Sequence, residues 1–521
     1  MPHLKSTYPL LVSALFFAAG FIFATDPQIS SWYTENSGQY ARIYETISDQ
    51  NSGNAVSTWS RGQGNQTAPT YAGIHEVSYS NDWVYIRTTN LASYIMGPWY
   101  LDADKTNLFP NYPANIALRD DRTGLYRFPR SPAVQENKTL TRGGEIGYFV
   151  DGVAMFDNRD TFSYSNSNAS DARPNTNFSG DGIWNRDAYV NESVTFDAGN
   201  AHQAGSNYHY HANPPGLRFL LGDHVDYNSI ANTYSENASD PSHSPIIGWV
   251  RDGYPIYGPY GYSDPNDASS SVQRMRSGYQ KRDGSNGSTN LNVTGRTSLP
   301  AWAVTAQSIG PVLATSQEGP DVGVDNYTLG HYIEDYAYKG DLGLALGSDF
   351  DLDLYNGRFC KTPDYPNGTY AYFITIEPDG TPVFPYNIGR WYYGDPSGDS
   401  LNTINESVVN YFEGGPEKQL LTESIVPDFT SGDVTVTWDA IEGGSYEVSF
   451  SSDLTHWKLS NEVITANSDK LAFTEINLIN QEDKRFFKLN QTALEAFDST
   501  GFDYSTPDYT SFSSVTLTLS G

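Results

Sequence analysis

Ile146-Gly-Tyr-Phe-Val-Asp151-Gly152-Val-Ala-Met-Phe156 and Ile247-Gly-Trp-Val-Arg-Asp252-Gly253-Tyr-Pro-Ile-Tyr257 share one pattern. Each is an apolar run, an Asp-Gly pair, and a second run closed by an aromatic residue. Ala371-Tyr-Phe-Ile-Thr-Ile-Glu-Pro-Asp379-Gly380-Thr-Pro-Val-Phe384 is a looser copy. Asp-Gly between strand-like runs signals a hairpin, because a type I′ turn needs positive φ at both central residues. Three such hairpins predict an antiparallel arrangement with a repeated geometry. Unrelated hairpins of a common kind would leave the same trace.

The rest of the composition agrees. No long stretch carries a 3.6-residue apolar period, so few helices are expected. Aromatics make up 14% of the 521 residues, with 38 Tyr, 46 Gly and 29 Pro, which suits turn-rich β structure. Alternating runs at Ile74–Tyr79 and Trp83–Arg87 add strands. The chain is too long for one ordinary core. The expectation is an all-β or strongly β-rich protein. Its main part, 26–395, is a large antiparallel sandwich or barrel-like domain built on Asp-Gly hairpins, with its core motif at 196–262. A linker (396–424), a small β-sandwich (425–492) and a tail (493–521) follow. The sandwich rests on short alternating runs such as Val434–Asp439, Ser445–Phe450 and Arg485–Leu489, and it resembles fibronectin type III-like modules.

A formal charge of −30 argues against nucleic acid and anionic membranes as partners. Lys5, the apolar run from about Pro9 and the small residue Ala24 read as a signal peptide over 1–24, hence a secreted protein. That run is too short for a spanning helix, and no other apolar run is longer. Cys360 is the only cysteine, so no internal disulfide can form, and a structural ion gains weight as a source of stability.

Six of the nine histidines lie between His202 and His331, and Tyr208-His209-Tyr210-His211 is their centre. On a strand, His209 and His211 share one face and Tyr208 and Tyr210 the other. Two imidazoles so spaced can converge on one transition metal, zinc or copper, with His202 and His243 as further ligands. The alternative is a pair of structural histidines, one hydrogen-bonded and one solvated. His224 and His331 are weaker candidates.

Tyr-His-Tyr-His preceded by His202-Gln-Ala-Gly205 and followed by His243-Ser-Pro-Ile-Ile-Gly-Trp-Val-Arg-Asp-Gly-Tyr-Pro-Ile-Tyr-Gly-Pro-Tyr-Gly261 resembles the YHYH-domain family. Matching pieces run from Ser31-Trp32 through Gly97-Pro-Trp99, Trp184-Asn-Arg186 and Asn356-Gly-Arg358 to Phe384-Pro385. The resemblance implies a mainly bacterial, secreted group with no established reaction. A cysteine frequent in the family just before the first histidine is replaced here by Ala198-Gly-Asn-Ala201, so no thiolate joins the histidines.

Other constellations carry less. Asp349, Asp351 and Asp353 alternate along one stretch and could hold calcium, or form a solvated acidic face. Leu354 stands where an EF-hand loop needs Gly. Arg274, Arg276, Lys281 and Arg282 lie in the long 263–303 insertion, as an anion pocket or as cations paired with the chain's own acids. No Gly-x-Ser-x-Gly elbow is present, and Ser244 beside His243 is not a triad. Asp252 and Glu334 could form an acid/base pair only at a suitable separation. Three readings stay open: a metal-binding YHYH-domain protein, a surface protein binding extracellular glycan or matrix with structural histidines, and a metal-dependent hydrolase or oxidoreductase.

Overall fold

The computed structural model describes residues 26–34, 40–116, 124–173, 180–239, 241–323 and 326–414, and beyond them strands between Thr422 and Thr518. The expected signal peptide lies outside the described residues.

Both close copies of the Asp-Gly pattern are hairpins. Strands β1 (Glu145–Phe149) and β2 (Ala154–Phe156) pair antiparallel, with Tyr148 opposite Ala154. Further along, β5 (Ile246–Val250) and β6 (Pro255–Tyr257) do the same, with Trp249 opposite Pro255. The turns are not type I′. Only Gly152 and Gly253 have positive φ (78° and 83°), and the aspartates do not. Gly152 N–H donates to the Phe149 carbonyl, and Phe149 N–H donates to the Val153 carbonyl, both at 2.9 Å. Gly253 and Val250 repeat this with Tyr254, and Gly380 and Glu377 repeat it with Thr381. This is the three-residue hairpin loop closed by a left-handed glycine. Each aspartate accepts from the N–H two residues on, which holds the loop.

The two hairpins lie side by side in an eight-stranded sheet, where β1 pairs antiparallel with β5 and Tyr148 faces Trp249. Outward from that pair the two sides repeat. Strand β4 (Asn207–Tyr210) lies parallel to β2, and β8 (Thr369–Phe373) lies parallel to β6. Strands β3 (Ala201–Ala204) and β7 (Gly357–Cys360) close the edges antiparallel. The order is β3-β4-β2-β1-β5-β6-β8-β7. Registers repeat too. Tyr210 pairs with Met155 as Tyr372 pairs with Ile256, and His202 pairs with His209 as Arg358 pairs with Ala371. Tyr208-His-Tyr-His211 therefore corresponds to Tyr370-Ala-Tyr-Phe373.

The buried tyrosines hold both halves the same way. Tyr210 donates to Asp151 at 3.1 Å, and Tyr372 donates to Asp252 at 2.6 Å. Tyr208 donates to Asp197 at 2.6 Å, and Tyr370 donates to Asp353 at 2.9 Å. Asn200 and Asn356, three residues after those last two aspartates, both take positive φ, 62° and 64°. The sequence echo is thus a repeated half-sheet, not a coincidence of turns.

A second, five-stranded antiparallel sheet runs in the order Asp399–Leu401, Leu125–Pro129, Trp83–Thr88, Ile74–Tyr79, Val409–Glu413. Its Val77, Val84, Ile86 and Phe128 share one apolar core with Tyr148, Phe149, Ile247 and Trp249 of the first. The rings of Tyr126 and Tyr148 meet at 4.0 Å. The architecture is sandwich-like, and no barrel closes among the described residues. Two of these strands come from 396–424, expected as a linker; Asp399–Leu401 and Val409–Glu413 cover the sheet's edges. Further on, sheets of three and four strands enclose Val434, Val436, Trp438, Tyr446, Val448 and Leu471. Val515–Thr518, within the expected tail, is their last strand.

Candidate metal centre

The hairpin β3–β4 turns through Gly205 (φ 66°) and Ser206, which puts His202 directly opposite His209. His211 follows β4 and shares the face of His209, while Tyr208 and Tyr210 point into the core as the alternation predicts. Short helix α1 (Ala188–Glu192), capped by Asp187, brings Glu192 to the same point. The Nε2 atoms of His202, His209 and His211 and a Glu192 carboxylate oxygen all lie within 4.8 Å of one another. No other group of at least three His, Cys, Asp or Glu side chains is gathered this way among the described residues.

Each ring is held in one tautomer. His209 Nδ1–H donates to the Asn207 carbonyl and His211 Nδ1–H to the Asp157 carbonyl, both at 2.9 Å. Thr195 Oγ1 donates its own proton to the Glu192 carbonyl, so at 2.7 Å it must accept from His202 Nδ1–H. All three Nε2 lone pairs are thereby aimed inward, the arrangement that metal-ligating histidines need. Phe156 stacks on His209 at 3.8 Å, and Phe196 lies parallel to His211 at 6.0 Å; the three imidazoles are buried, while the Glu192 side chain stays 24% exposed.

The spacing fits an ion. His209 Nε2 and His211 Nε2 are 3.0 Å apart, His211 Nε2 and Glu192 Oε2 3.0 Å, and His202 Nε2 and Glu192 Oε2 3.4 Å. A tetrahedral centre with bonds of about 2.0–2.1 Å sets neighbouring ligand atoms about 3.3–3.4 Å apart. Two lone pairs facing each other at 3.0 Å repel, so a cation or a proton must stand between them. Burial, with the charges of its two neighbours, pushes His209 well below the ordinary imidazole range. Burial also lowers His202. Burial opposes charge on His211 as well, but the hydrogen bond and charge of Glu192 outweigh it and raise that ring. Burial likewise opposes charge on Glu192, yet its two histidine contacts hold it well below the usual carboxylate range.

His243 is not part of this centre. It precedes β5 and packs against Tyr257 of β6 and Phe373 of β8. Four to five strand spacings of about 4.8 Å separate those strands from β4, so it lies roughly 20 Å away. His243 does follow the motif in sequence, but the fold delivers it to the other half-sheet. Glu192 was invisible to spacing arguments, because a single Glu ten residues before His202 has no period to betray it. His224 bonds Ser242, and His331 meets Asp171 at 2.8 Å.

The remaining candidates resolve into structure. Asp351 is bound by Arg276, Asp349 accepts from Ala345 N–H, and Asp353 is buried with Tyr370, so the three do not form a calcium site. Arg274 and Arg282 donate to backbone carbonyls rather than lining an anion pocket. Asp252 holds its turn, and Glu334 accepts from Asn185 and Gln307.

A strand-rich sandwich carrying three buried histidines and one half-buried carboxylate in a single cluster defines the class. Residues 125–384 match the family model described as YHYH protein, and the chain carries a YHYH domain over that span. No curated protein matches the chain. No solved structure matches it either.

Proposed function

We propose that this YHYH domain binds one divalent transition ion through His202, His209, His211 and Glu192, and that the ion is structural. What carries the reading is the convergence of three Nε2 lone pairs, each fixed by its own Nδ1–H partner. Three imidazoles and a carboxylate suit zinc best, and copper next. Four protein ligands complete a tetrahedron and leave no position for substrate. A cleft of about 430 Å³ lined by residues including Trp302, Tyr355, Trp391, Lys138, Glu136 and Asp341 shares no residue with the cluster. The ion would tie the β3–β4 hairpin to α1.

Export is part of the same proposal, supported by the N-terminal apolar run; mass spectrometry finding Met1 on secreted protein would overturn it. No described helix is long and apolar enough to cross a membrane. A fibronectin type III-like identity for the C-terminal sandwich is likewise proposed, supported by its seven strands in two sheets. The test of the metal reading is elemental analysis of full-length protein purified without a histidine tag. About one equivalent of zinc or copper per chain is expected; protein lacking any transition metal, and unable to take one up, would overturn it.

A further inference from the structure

The second half-sheet fills the counterpart of the metal centre differently. Arg358 stands at the place of His202, Ala371 at that of His209 and Phe373 at that of His211. Arg358 is 7% exposed. Its guanidinium lies 5.4 Å from the Phe373 ring centre, one terminal nitrogen donates to the Tyr262 carbonyl, and the Cys360 thiol lies beside it. Its Nε–H is buried without a partner. Among the other fully buried arginines, Arg218 and Arg296 pair with carboxylates, and Arg282 donates to three oxygen contacts; an unpartnered buried Nε recurs at Arg127, Arg159 and Arg186, but Arg159 and Arg186 each have a carboxylate within 4 Å. No described carboxylate pairs with Arg358. A buried guanidinium with neither counter-charge nor full hydrogen bonding is costly.

His243 supplies the complement. Its ring lies 4.7 Å from Tyr262, 5.2 Å from Tyr257 and 6.1 Å from Phe373, so it shares an aromatic wall with Arg358. Its Nδ1–H donates to the Ser244 carbonyl at 2.8 Å, which leaves Nε2 as a lone pair, buried and unpartnered. Burial holds this ring down to about 4, so it is neutral at physiological pH. One wall thus carries an orphaned cationic donor and an orphaned acceptor.

We propose that this wall binds a small protic oxyanion, such as hydrogencarbonate or hydrogen phosphate, with an anionic oxygen on Arg358 and its hydroxyl donated to His243 Nε2. A halide or nitrate can meet the first need but not the second. The backbone of Gly261 packs close on the same pair, since a Cβ there would lie 3.0 Å from both Arg358 Nη2 and the Phe373 ring. The two half-sheets would then hold ions of opposite sign at corresponding places. The site is independent of the metal reading.

The test is thermal melting of full-length protein at pH 7.5 and matched ionic strength. It compares sodium hydrogencarbonate, phosphate, chloride and nitrate, with and without prior chelation of metal. A saturable rise in Tm of roughly 2–4 °C at tenfold excess over Kd is expected with hydrogencarbonate or phosphate only, chelated or not. Arg358→Gln should abolish it and His243→Phe should weaken it at least tenfold in apparent Kd. Should Arg358→Gln not fold, His243→Phe decides alone. An equal response to all four anions, a response lost on chelation, or an unchanged His243→Phe would overturn the proposal and leave an ordered water as the partner of these atoms.

Discussion

The two half-sheets are an internal control for one another. Strands β4 and β8 occupy the same register and bury the same tyrosine pair on aspartates from the same turns. They differ on the opposite face, where His209 and His211 stand against Ala371 and Phe373. What both halves keep is therefore architecture. What differs is the set of side chains each half presents on that face: three histidines in one, Arg358, Ala371 and Phe373 in the other. Of the four residues in Tyr-His-Tyr-His, the tyrosines belong to the fold and the histidines to the site.

The strongest break in that comparison is removal of a ligand. His209→Ala or His211→Ala should lose bound metal and lower stability by about 3 kcal/mol or more at saturating ion, since an ion held only by the native state stabilises it by linkage. Melting curves with and without chelator read this, and the variant and chelated wild type should nearly coincide. The counterpart change in the other half, Phe373→Leu, should leave metal content unchanged.

Next come the tyrosines. Tyr210→Phe and Tyr372→Phe each leave a buried carboxylate short of one donor, at a cost of about 1–3 kcal/mol. Equal costs from denaturant unfolding, with metal content intact in both, would confirm that the Tyr–Asp pairs serve the two halves alike. A selective loss of metal in Tyr210→Phe would break the division between faces.

A smaller effect follows pH. Burial pushes Asp197, Asp252 and Asp353 up to about 6 and Asp151 up to about 7. The native state then holds more protons than the unfolded chain between about pH 4 and 7, so stability is greatest below that window and falls as pH rises through it. Each group contributes at most about 1.4 kcal/mol per pH unit. From pH 5 to pH 7.5 metal-free wild type should therefore lose stability relative to Asp252→Asn, a comparison in which the buried histidines, whose lowered values act in the opposite sense, cancel. A difference of opposite sign would contradict neutral carboxyls in the turns.

Much of this was legible in the chain. The Asp-Gly pairs mark both central hairpins, and strand alternation separates His209 and His211 from Tyr208 and Tyr210. Local patterns report local geometry, and there the reading stopped. Nothing in the spacing could show that β4 and β8 run parallel to the hairpins, because those partners are 55 and 116 residues apart. For the same reason nearness in sequence joins His243 to the motif although the fold sets it in the other half, and it gives no sign of Glu192. The turn type also escaped, since Asp-Gly serves a two-residue I′ loop and a three-residue bulged loop equally.

The most direct measurement is X-ray absorption at the edge of the metal bound to full-length protein. The account predicts three imidazole nitrogens and one carboxylate oxygen at about 2.0–2.1 Å, with one nitrogen lost in His202→Ala. A shell of water and carboxylate oxygens only, or a spectrum unchanged by His202→Ala, would contradict it.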